Sequence, residues 1–165
     1  GQGSGIGQGG NMGVSIRNSS QAPAGTTPLA SSKVQSNSGT ITIKGTGGGT
    51  GSGGGSADGN MGVQLGNFNP DNTAGGEIVS TSGTISVEGI GGKGVNNNTG
   101  VFMTTTVARI SSNGTVTVTG KGSSVSTGAV WNRGIEIVNG ASVVQNGVTG
   151  SVNYTNSGFD ANVVF

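Results

Sequence analysis

Side chains that could perform acid–base or metal chemistry are few in this sequence. The 165 residues include neither His nor Cys, and charged residues make up 8% of the chain. A Ser-His-Asp or Cys-His nucleophilic centre is therefore excluded, and so is a usual zinc site. Two carboxylates meeting in one groove could still cleave a glycan. Because the acids are scattered along the chain, we predict no catalytic residues and a non-enzymatic protein. The acids are Asp58, Asp71, Glu77, Glu88, Glu136 and Asp160.

Two further patterns could hold a ligand. The segment GTGGGTGSGGGS at 45–56 is glycine-rich, as phosphate-binding loops are, but it lacks the Gly-Lys-Ser/Thr end and the following helix. Asp58 near Asn60, and Asp71 near Asn69, could bind a weak calcium ion. Solvated side chains explain these acids more simply, so we expect no cofactor and no resident metal.

Charge and hydropathy narrow the range of partners. A formal net charge of +1 provides no field that would attract nucleic acid or an anionic membrane. No run reaches the roughly 18 apolar residues of a transmembrane helix, so we expect no membrane insertion. The absence of Cys is compatible with an extracellular or cell-surface location, which we predict. The 37 glycines follow no Gly-X-Y period, and the apolar residues between them alternate as they do in strands.

One strand pattern recurs three times, each time ending in glycines. It reads SGTITIKGTGG at 38–48, SGTISVEGIGG at 82–92 and NGTVTVTGKG at 113–122. A fourth, degenerate copy is GSVNYT at 150–155. We refer to these as the Gly-Thr strands. Alternating branched residues at period two predict half-buried β-strands.

Two other strands accompany each Gly-Thr strand in a constant order. An Asn-x-Gly strand comes first, and its four copies are NMGVSI at 11–16, NMGVQL at 60–65, NTGVFM at 98–103 and NRGIEI at 132–137. A short strand follows, with copies KVQS at 33–36, EIVS at 77–80, RISS at 109–112 and SVVQ at 142–145. The strands keep their length while the connections vary, with long insertions at 17–33 and 66–77. Insertions at one fixed corner are typical of stacked repeats.

These repeats predict an all-β fold, a right-handed parallel β-helix (β-solenoid) of about four coils of three short strands, without a helix longer than a turn. Right-handedness is favoured because units of 34–49 residues exceed the short coils of left-handed helices. The chain forms a single domain, 1–165, with units at 11–59, 60–97, 98–131 and 132–165. Stacking each strand on its counterpart buries one aliphatic column. The predicted core is Val14, Ile16, Val34, Ile41, Ile43, Val63, Leu65, Ile78, Ile85, Val87, Val101, Met103, Ile110, Val116, Val118, Ile135, Ile137 and Val143.

Charged residues recur at matching positions of the repeats. Lys33, Glu77 and Arg109 each precede the inward residue of the short strand, and Lys44 and Glu88 share a position in the Gly-Thr strands. In-register stacking would therefore place unlike charges side by side. Unlike charges on adjacent strands stabilise a sheet, whereas like charges there destabilise it. Solvated, outward-facing positions are the simpler alternative explanation.

The succession of Asn-x-Gly strand, short strand and Gly-Thr strand resembles the repeats of large bacterial surface adhesins of the filamentous-haemagglutinin-like and autotransporter-like kind. The resemblance extends from about Gly3 to Gly158. It implies a right-handed parallel β-helix and an extracellular structural or adhesive role, and it carries over no catalytic residues. The long insertions depart from the lean repeat of that family.

We therefore expect a segment of a surface adhesin that binds a host or cell-surface glycan or protein. The alternatives are a subunit of an extracellular filament that self-associates through its ends, and a β-helix that binds or cleaves carbohydrate. Gly1–Gly10 resembles the tail of a preceding unit, and ANVVF at 161–165 resembles an unfinished strand, so we expect a longer chain or assembly. Phe102 and Phe68 are the predicted surface contacts, although a neighbouring insertion could equally well cover Phe102.

Overall fold

The fold consists of β-strands joined by corners of unequal length. The computed structural model describes residues 1–2, 10–17, 31–49, 59–66, 75–94, 96–123, 132–155 and 158–165. No α-helix occurs within these ranges, and the all-β prediction is confirmed. In the same ranges, no helix has the length and apolarity needed to span a membrane.

In the described part of the chain, fourteen strands form three sheets. Sheet A contains β3 (Ile41–Thr46), β6 (Ile85–Ile90), β9 (Val116–Lys121), β14 (Asp160–Val164) and β13 (Ser151–Thr155), in that spatial order. Sheet B contains β1 (Val14–Ile16), β4 (Val63–Leu65), β7 (Val101–Met103) and β10 (Ile135–Ile137). Sheet C contains β2 (Ser32–Ser36), β5 (Gly76–Ser80), β8 (Arg109–Ser112), β11 (Ser142–Gln145) and β12 (Val148–Thr149).

Equivalent strands of successive repeats pair in parallel and in register. In sheet A, Ile41 lies opposite Ile85, and Ile85 lies opposite Val116. Sheets B and C repeat this arrangement, because β1–β4–β7–β10 and β2–β5–β8–β11 are all parallel ladders. The predicted parallel pairing of equivalent strands is therefore confirmed in these ladders. The arrangement is compatible with a β-helix.

The aliphatic side chains on the inner faces of the strands form one core. Of the eighteen residues expected there, fourteen are buried, and the half-buried Val14, Ile43 and Ile137 pack against them. Val34 departs from the expectation, because its side chain is 36% exposed. The reason is its place on β2, the edge strand of sheet C, whose only neighbour among the described strands is β5.

A ladder of asparagine side chains marks the start of each Asn-x-Gly strand. Nδ2 of Asn11 donates to Oδ1 of Asn60 over 2.9 Å, and Nδ2 of Asn60 donates to Oδ1 of Asn98 over 3.0 Å. Nδ2 of Asn98 donates in turn to Oδ1 of Asn132 over 3.1 Å. Asn60, Asn98 and Asn132 are buried, so each amide satisfies its neighbour where water is absent.

Glycines allow the backbones of sheets A and B to approach each other closely. A Cβ at Gly89, in a Gly-Thr strand, would overlap the carbonyl group of Gly100, in an Asn-x-Gly strand, and would lie 2.7 Å from Val101 Cγ2. The same contact joins the equivalent glycines one repeat earlier and one repeat later. These two glycines of each unit are therefore required by packing, because any side chain would push the sheets apart.

The C-terminal strands depart from the prediction. β13, the expected fourth Gly-Thr strand, does not stack in parallel on β9. Instead β14, from the segment ANVVF, pairs antiparallel with β9 on one side and with β13 on the other. The supposedly unfinished strand thus has two partners, and its Ala161 and Val163 are buried in the core.

The first two residues add to the other end of sheet A. Gln2 forms a parallel bridge with Thr46, and the amide of Thr46 donates to the carbonyl oxygen of Gly1 over 2.9 Å. Gly1 and Gln2 therefore lie beside β3. Residues 3–9 lie outside the described ranges.

Candidate functional site

The outer faces of sheets A and B differ in their exposure. On sheet B, the outward column alternates with the core residues and consists of Ser15, Gln64, Phe102 and Glu136, joined in register. The last three of these side chains are buried. Phe102 is 6% exposed, so its ring is not an open surface contact; the reason is that both faces of β7 are covered. Phe68 lies outside the described residues.

The outward column of sheet B is largely buried, and it contains two buried polar side chains. Nε2 of Gln64 is buried without a hydrogen-bond partner. Burial raises the pKa of Glu136, and the positive charge of Arg133 partly opposes the shift. A carboxyl group held in this way could sense pH, but it has no open approach for a ligand.

Sheet A instead presents an open groove. A surface cavity of about 380 Å³ lies beside Gln2, Lys44, Thr46, Glu88 and Ile90. A second cavity, of about 270 Å³, shares Glu88 and Ile90 and continues towards the start of β14. Together they form a groove across the ends of the sheet A strands, which we call the sheet A groove. Its second part is lined by Glu88, Gly89, Ile90, Thr119, Gly120, Lys121, Asp160 and Ala161.

The groove contains one of the predicted pairs of unlike charges. Nζ of Lys44 lies 2.7 Å from Oε2 of Glu88, on adjacent strands in register. The other predicted column lies on sheet C, where Oε2 of Glu77 is 3.7 Å from Nζ of Lys33 and 3.6 Å from Nη2 of Arg109. The prediction of sign-alternating columns is confirmed at both places.

Two carboxylates line the second part of the groove. Glu88 comes from β6, and Asp160 comes from the start of β14, where it lies opposite Lys121. The sequence alone did not bring these two acids together, because it gave no sign that the C-terminal strand would turn back onto β9. Glu77 lies on sheet C, and Glu136 belongs to the buried outward column of sheet B, so neither lines the groove.

Most residues of the two conceivable calcium positions, namely Asp58, Asn69 and Asp71, lie outside the described residues. Oδ1 of Asn60 already accepts the amide of Asn11 within the asparagine ladder. Within the described ranges, no group of three or more acidic side chains could hold a metal ion. Of the glycine-rich segment 45–56, only Gly45–Gly49 is described, and the amide of Gly48 donates to the carbonyl oxygen of Asn11 over 2.9 Å.

The groove is thus a charge-balanced, hydroxyl-bearing surface with one exposed aliphatic side chain, Ile90. Such a surface can accept hydrogen bonds from, and donate them to, a polar ligand that lies along it. Comparisons with protein-family models, with curated proteins and with solved structures gave no match to this chain.

Proposed function

We propose that the chain is a non-enzymatic segment of an extracellular bacterial surface protein, built as a right-handed parallel β-helix of about four coils. Its open face, which contains the sheet A groove, adheres to a glycan or protein of another surface. The observation that carries this proposal is the common register of three parallel ladders across successive repeats, maintained while the corner connections change in length. Repeats of this kind build extended surfaces rather than enclosed catalytic sites. The resemblance to adhesin repeats supports the same conclusion.

Right-handed coiling is supported by a general property of parallel strands. A connection between parallel strands of one sheet is right-handed in about 98% of cases, because strand twist favours that direction. The links from β1 to β4 and from β4 to β7 are connections of this type. An experimental structure of the chain tests the handedness directly, and left-handed crossovers would refute this part of the proposal.

Adhesion is tested with purified chain immobilised on beads and exposed to panels of glycans, matrix proteins and whole cells. Lys44→Ala and Lys121→Ala alter the sheet A groove, and we expect them to reduce adhesion roughly fivefold or more. Lys33→Ala is the matched control, because Lys33 also pairs with a glutamate but lies on sheet C. Failure of the wild-type chain to retain any of these targets, or an equal loss in all three variants, would refute the proposed adhesive face.

A carbohydrate-cleaving function is the second candidate, and it is favoured by one observation. Glu88 and Asp160 line the same part of the sheet A groove, as the two carboxylates of a glycosidase must. The test is release of reducing ends from polysaccharides by the wild-type chain, by Glu88→Gln and by Asp160→Asn, with Glu77→Gln as the control. Cleavage that is lost in the first two variants alone would replace adhesion by catalysis as the function.

The filament alternative has weaker support. End-to-end stacking of copies needs parallel edges at both ends, whereas the antiparallel strands β12, β13 and β14 lie at the C-terminal end of two sheets. Among the strands that the structure describes at this end, β10 alone continues a parallel ladder to its edge. Negative-stain imaging over a range of concentrations tests this alternative, because fibres of regular width would restore it.

A further inference from the structure

Asn-Gly dipeptides occur in the sequence at Asn113, Asn139 and Asn146, and all three belong to the described residues. An asparagine followed by glycine is open to attack on its side-chain amide by the next backbone nitrogen, because glycine has no Cβ to obstruct the approach. The attack needs a side chain that can rotate and a glycine N–H that is not engaged in a hydrogen bond. The three dipeptides differ in both respects.

Hydrogen bonds hold two of the three dipeptides in place. Next to Asn113, the amide of Gly114 donates to Oγ of Ser112 over 2.9 Å. Nδ2 of Asn139 donates to Oγ1 of Thr104 over 3.0 Å. Each of these bonds must break before a glycine nitrogen can reach the side-chain carbon of the asparagine.

The turn at Asn146 has nearly the same backbone as the turn at Asn139, but its side chain is not held. The φ angles are 47° and 77° at Asn146 and Gly147, and 54° and 81° at Asn139 and Gly140. Asn146 is exposed, and within the described part of the chain neither its side chain nor the amide of Gly147 forms a hydrogen bond. A Cβ at Gly147 would meet no atom within 4 Å, whereas one at Gly140 would lie 2.9 Å from Cγ2 of Thr106.

We propose that Asn146 is a site of spontaneous deamidation. The backbone nitrogen of Gly147 attacks Cγ of Asn146, the Cγ–Nδ2 bond breaks, and ammonia leaves with the proton that the Gly147 amide gives up through water. A second water molecule opens the resulting succinimide. Breakage of the bond between nitrogen and the main-chain carbonyl carbon gives isoaspartate, and breakage of the bond to Cγ gives aspartate. The proposal is independent of the adhesive face, since this turn belongs to sheet C and the groove belongs to sheet A.

Isoaspartate at position 146 should undo the turn. It adds a methylene group to the backbone, so that Gln145 and Val148 can no longer lie opposite each other across a two-residue connection. Among the described strands, β12 pairs with β11 alone, whereas β11 also pairs in parallel with β8. The modification should therefore release β12 and leave the parallel ladder of sheet C intact.

The test is incubation of the full chain at mildly alkaline pH, both folded and in concentrated guanidinium chloride, followed by tryptic digestion and mass spectrometry. Arg133 is the last cationic residue of the sequence, so both turns lie on one peptide, 134–165, and fragment ions assign each modification. In the folded chain we expect Asn146 to react at least roughly fivefold faster than Asn139, because a hydrogen bond that must first break slows the reaction by about this factor. In the denaturant the two should react at similar rates.

Thr104→Val is the matched variant, because it removes the hydroxyl that accepts Nδ2 of Asn139 and keeps a similar shape. It should accelerate deamidation at Asn139 roughly fivefold and leave the rate at Asn146 unchanged. An unchanged rate at Asn139 would refute the hydrogen bond as the cause of the selectivity. Asn113 in the wild-type chain gives a second slow reference, which serves if the variant does not fold.

Hydrogen exchange of the isoaspartate form tests the release of β12. The amide of Gly150 donates to the carbonyl oxygen of Val143 over 2.9 Å, and it should exchange faster after the modification. The proposal is overturned if Asn146 reacts no faster than Asn139 in the folded chain, or if the product is aspartate without isoaspartate. Unchanged protection of Gly150 in the isoaspartate form would overturn the predicted release of the strand.

Discussion

Asn60 and Asn98 are joined through their side-chain amides, with Nδ2 of Asn60 donating to Oδ1 of Asn98 across 3.0 Å in the interior of the protein. Oδ1 of Asn98 also accepts the backbone amide of Asn60 at 3.3 Å. One oxygen therefore satisfies two donors of the preceding repeat and joins successive repeats through hydrogen bonds.

Replacing Asn98 should destabilise the protein more than its size suggests. Asn98→Ala removes the oxygen that accepts both the backbone amide and Nδ2 of Asn60, while Nδ2 retains a longer contact of 3.4 Å to the carbonyl oxygen of Lys93. A buried polar group that loses its hydrogen bond costs about 1–3 kcal/mol. We expect a loss of about 3 kcal/mol in the free energy of unfolding, measured by urea denaturation. Asn113→Ala, at an exposed corner, is the control and should change stability by less than about 0.5 kcal/mol. Similar losses in both variants would argue against the ladder.

Gly89 should tolerate no side chain. Gly89→Ala directs a methyl group at the carbonyl of Gly100 and at Val101, so sheets A and B must move apart. We expect a loss of about 3 kcal/mol or more, because overpacking against backbone cannot be relieved by a change of rotamer. Gly39→Ala provides the comparison, since the nearest atom to its Cβ is the Ser36 hydroxyl at 3.1 Å. Thermal unfolding of the two variants distinguishes the sites, and a stable Gly89→Ala protein would contradict the close approach.

Reversing the charge at Glu77 should disturb sheet C in a salt-dependent manner. Glu77→Lys removes two ion pairs and places three cations in one column, which should cost about 1–2 kcal/mol at low ionic strength. About 1 M NaCl should recover much of this loss, because salt screens the repulsion. Glu88→Lys should cost less, since Glu88 pairs with one cation among the described residues and its side chain is 43% exposed, against 17% for Glu77. Urea midpoints at both salt concentrations provide the measurement, and a loss insensitive to salt would point to packing instead.

Glu136 should make stability depend on pH. Its folded pKa is raised above the ordinary value of 4.5 by burial, so the folded protein holds the proton more tightly than the unfolded chain does. Its contribution is therefore fully present below pH 4.5 and is lost as the pH rises through the raised pKa. Glu136→Gln should remove this loss, and the difference in stability between variant and wild type should grow in the variant's favour with rising pH.

Denaturation midpoints from pH 4 to pH 8 measure this difference for Glu136→Gln, with Glu88→Gln on the open groove as the control. Arg133 lies close enough to lower the pKa in part, so Arg133→Gln should enlarge the effect. A difference between Glu136→Gln and wild type that does not change with pH would show that the carboxyl group has the same pKa in the folded and the unfolded protein, and would contradict the raised pKa.

The strands and their register could be predicted because the same residue pattern recurs in successive repeats. Ile41, Ile85 and Val116 occupy the same place in three copies of one pattern, and parallel stacking is the arrangement that buries them together. The alternating charges of Lys33, Glu77 and Arg109 supported the same register independently. The exposure of Val34 could not be predicted, because the residue pattern does not show which strand lies at the edge of sheet C.

The antiparallel pairs β11–β12 and β13–β14 could not be predicted from the alternation of apolar residues, because parallel and antiparallel strands show the same alternation. One signal was present, because Asn146-Gly147 is the dipeptide that most strongly favours a tight hairpin. Its two residues adopt φ values of 47° and 77°, and β11 turns back into β12 at this point. Asp160 lines the groove together with Glu88 because the chain reverses direction again at β14, and the repeat pattern did not predict this reversal.

The corners differ in length by more than the strands do. The link between β7 and β8 has five residues, 104–108, while the link between β1 and β2 has fifteen, 17–31, and yet β1 and β2 take the same places in their ladders. The connection between β1 and β2 is therefore a suitable site for inserting additional residues. An epitope, an affinity tag or a small guest domain inserted between β1 and β2 should leave the pairing of both strands in their ladders unchanged.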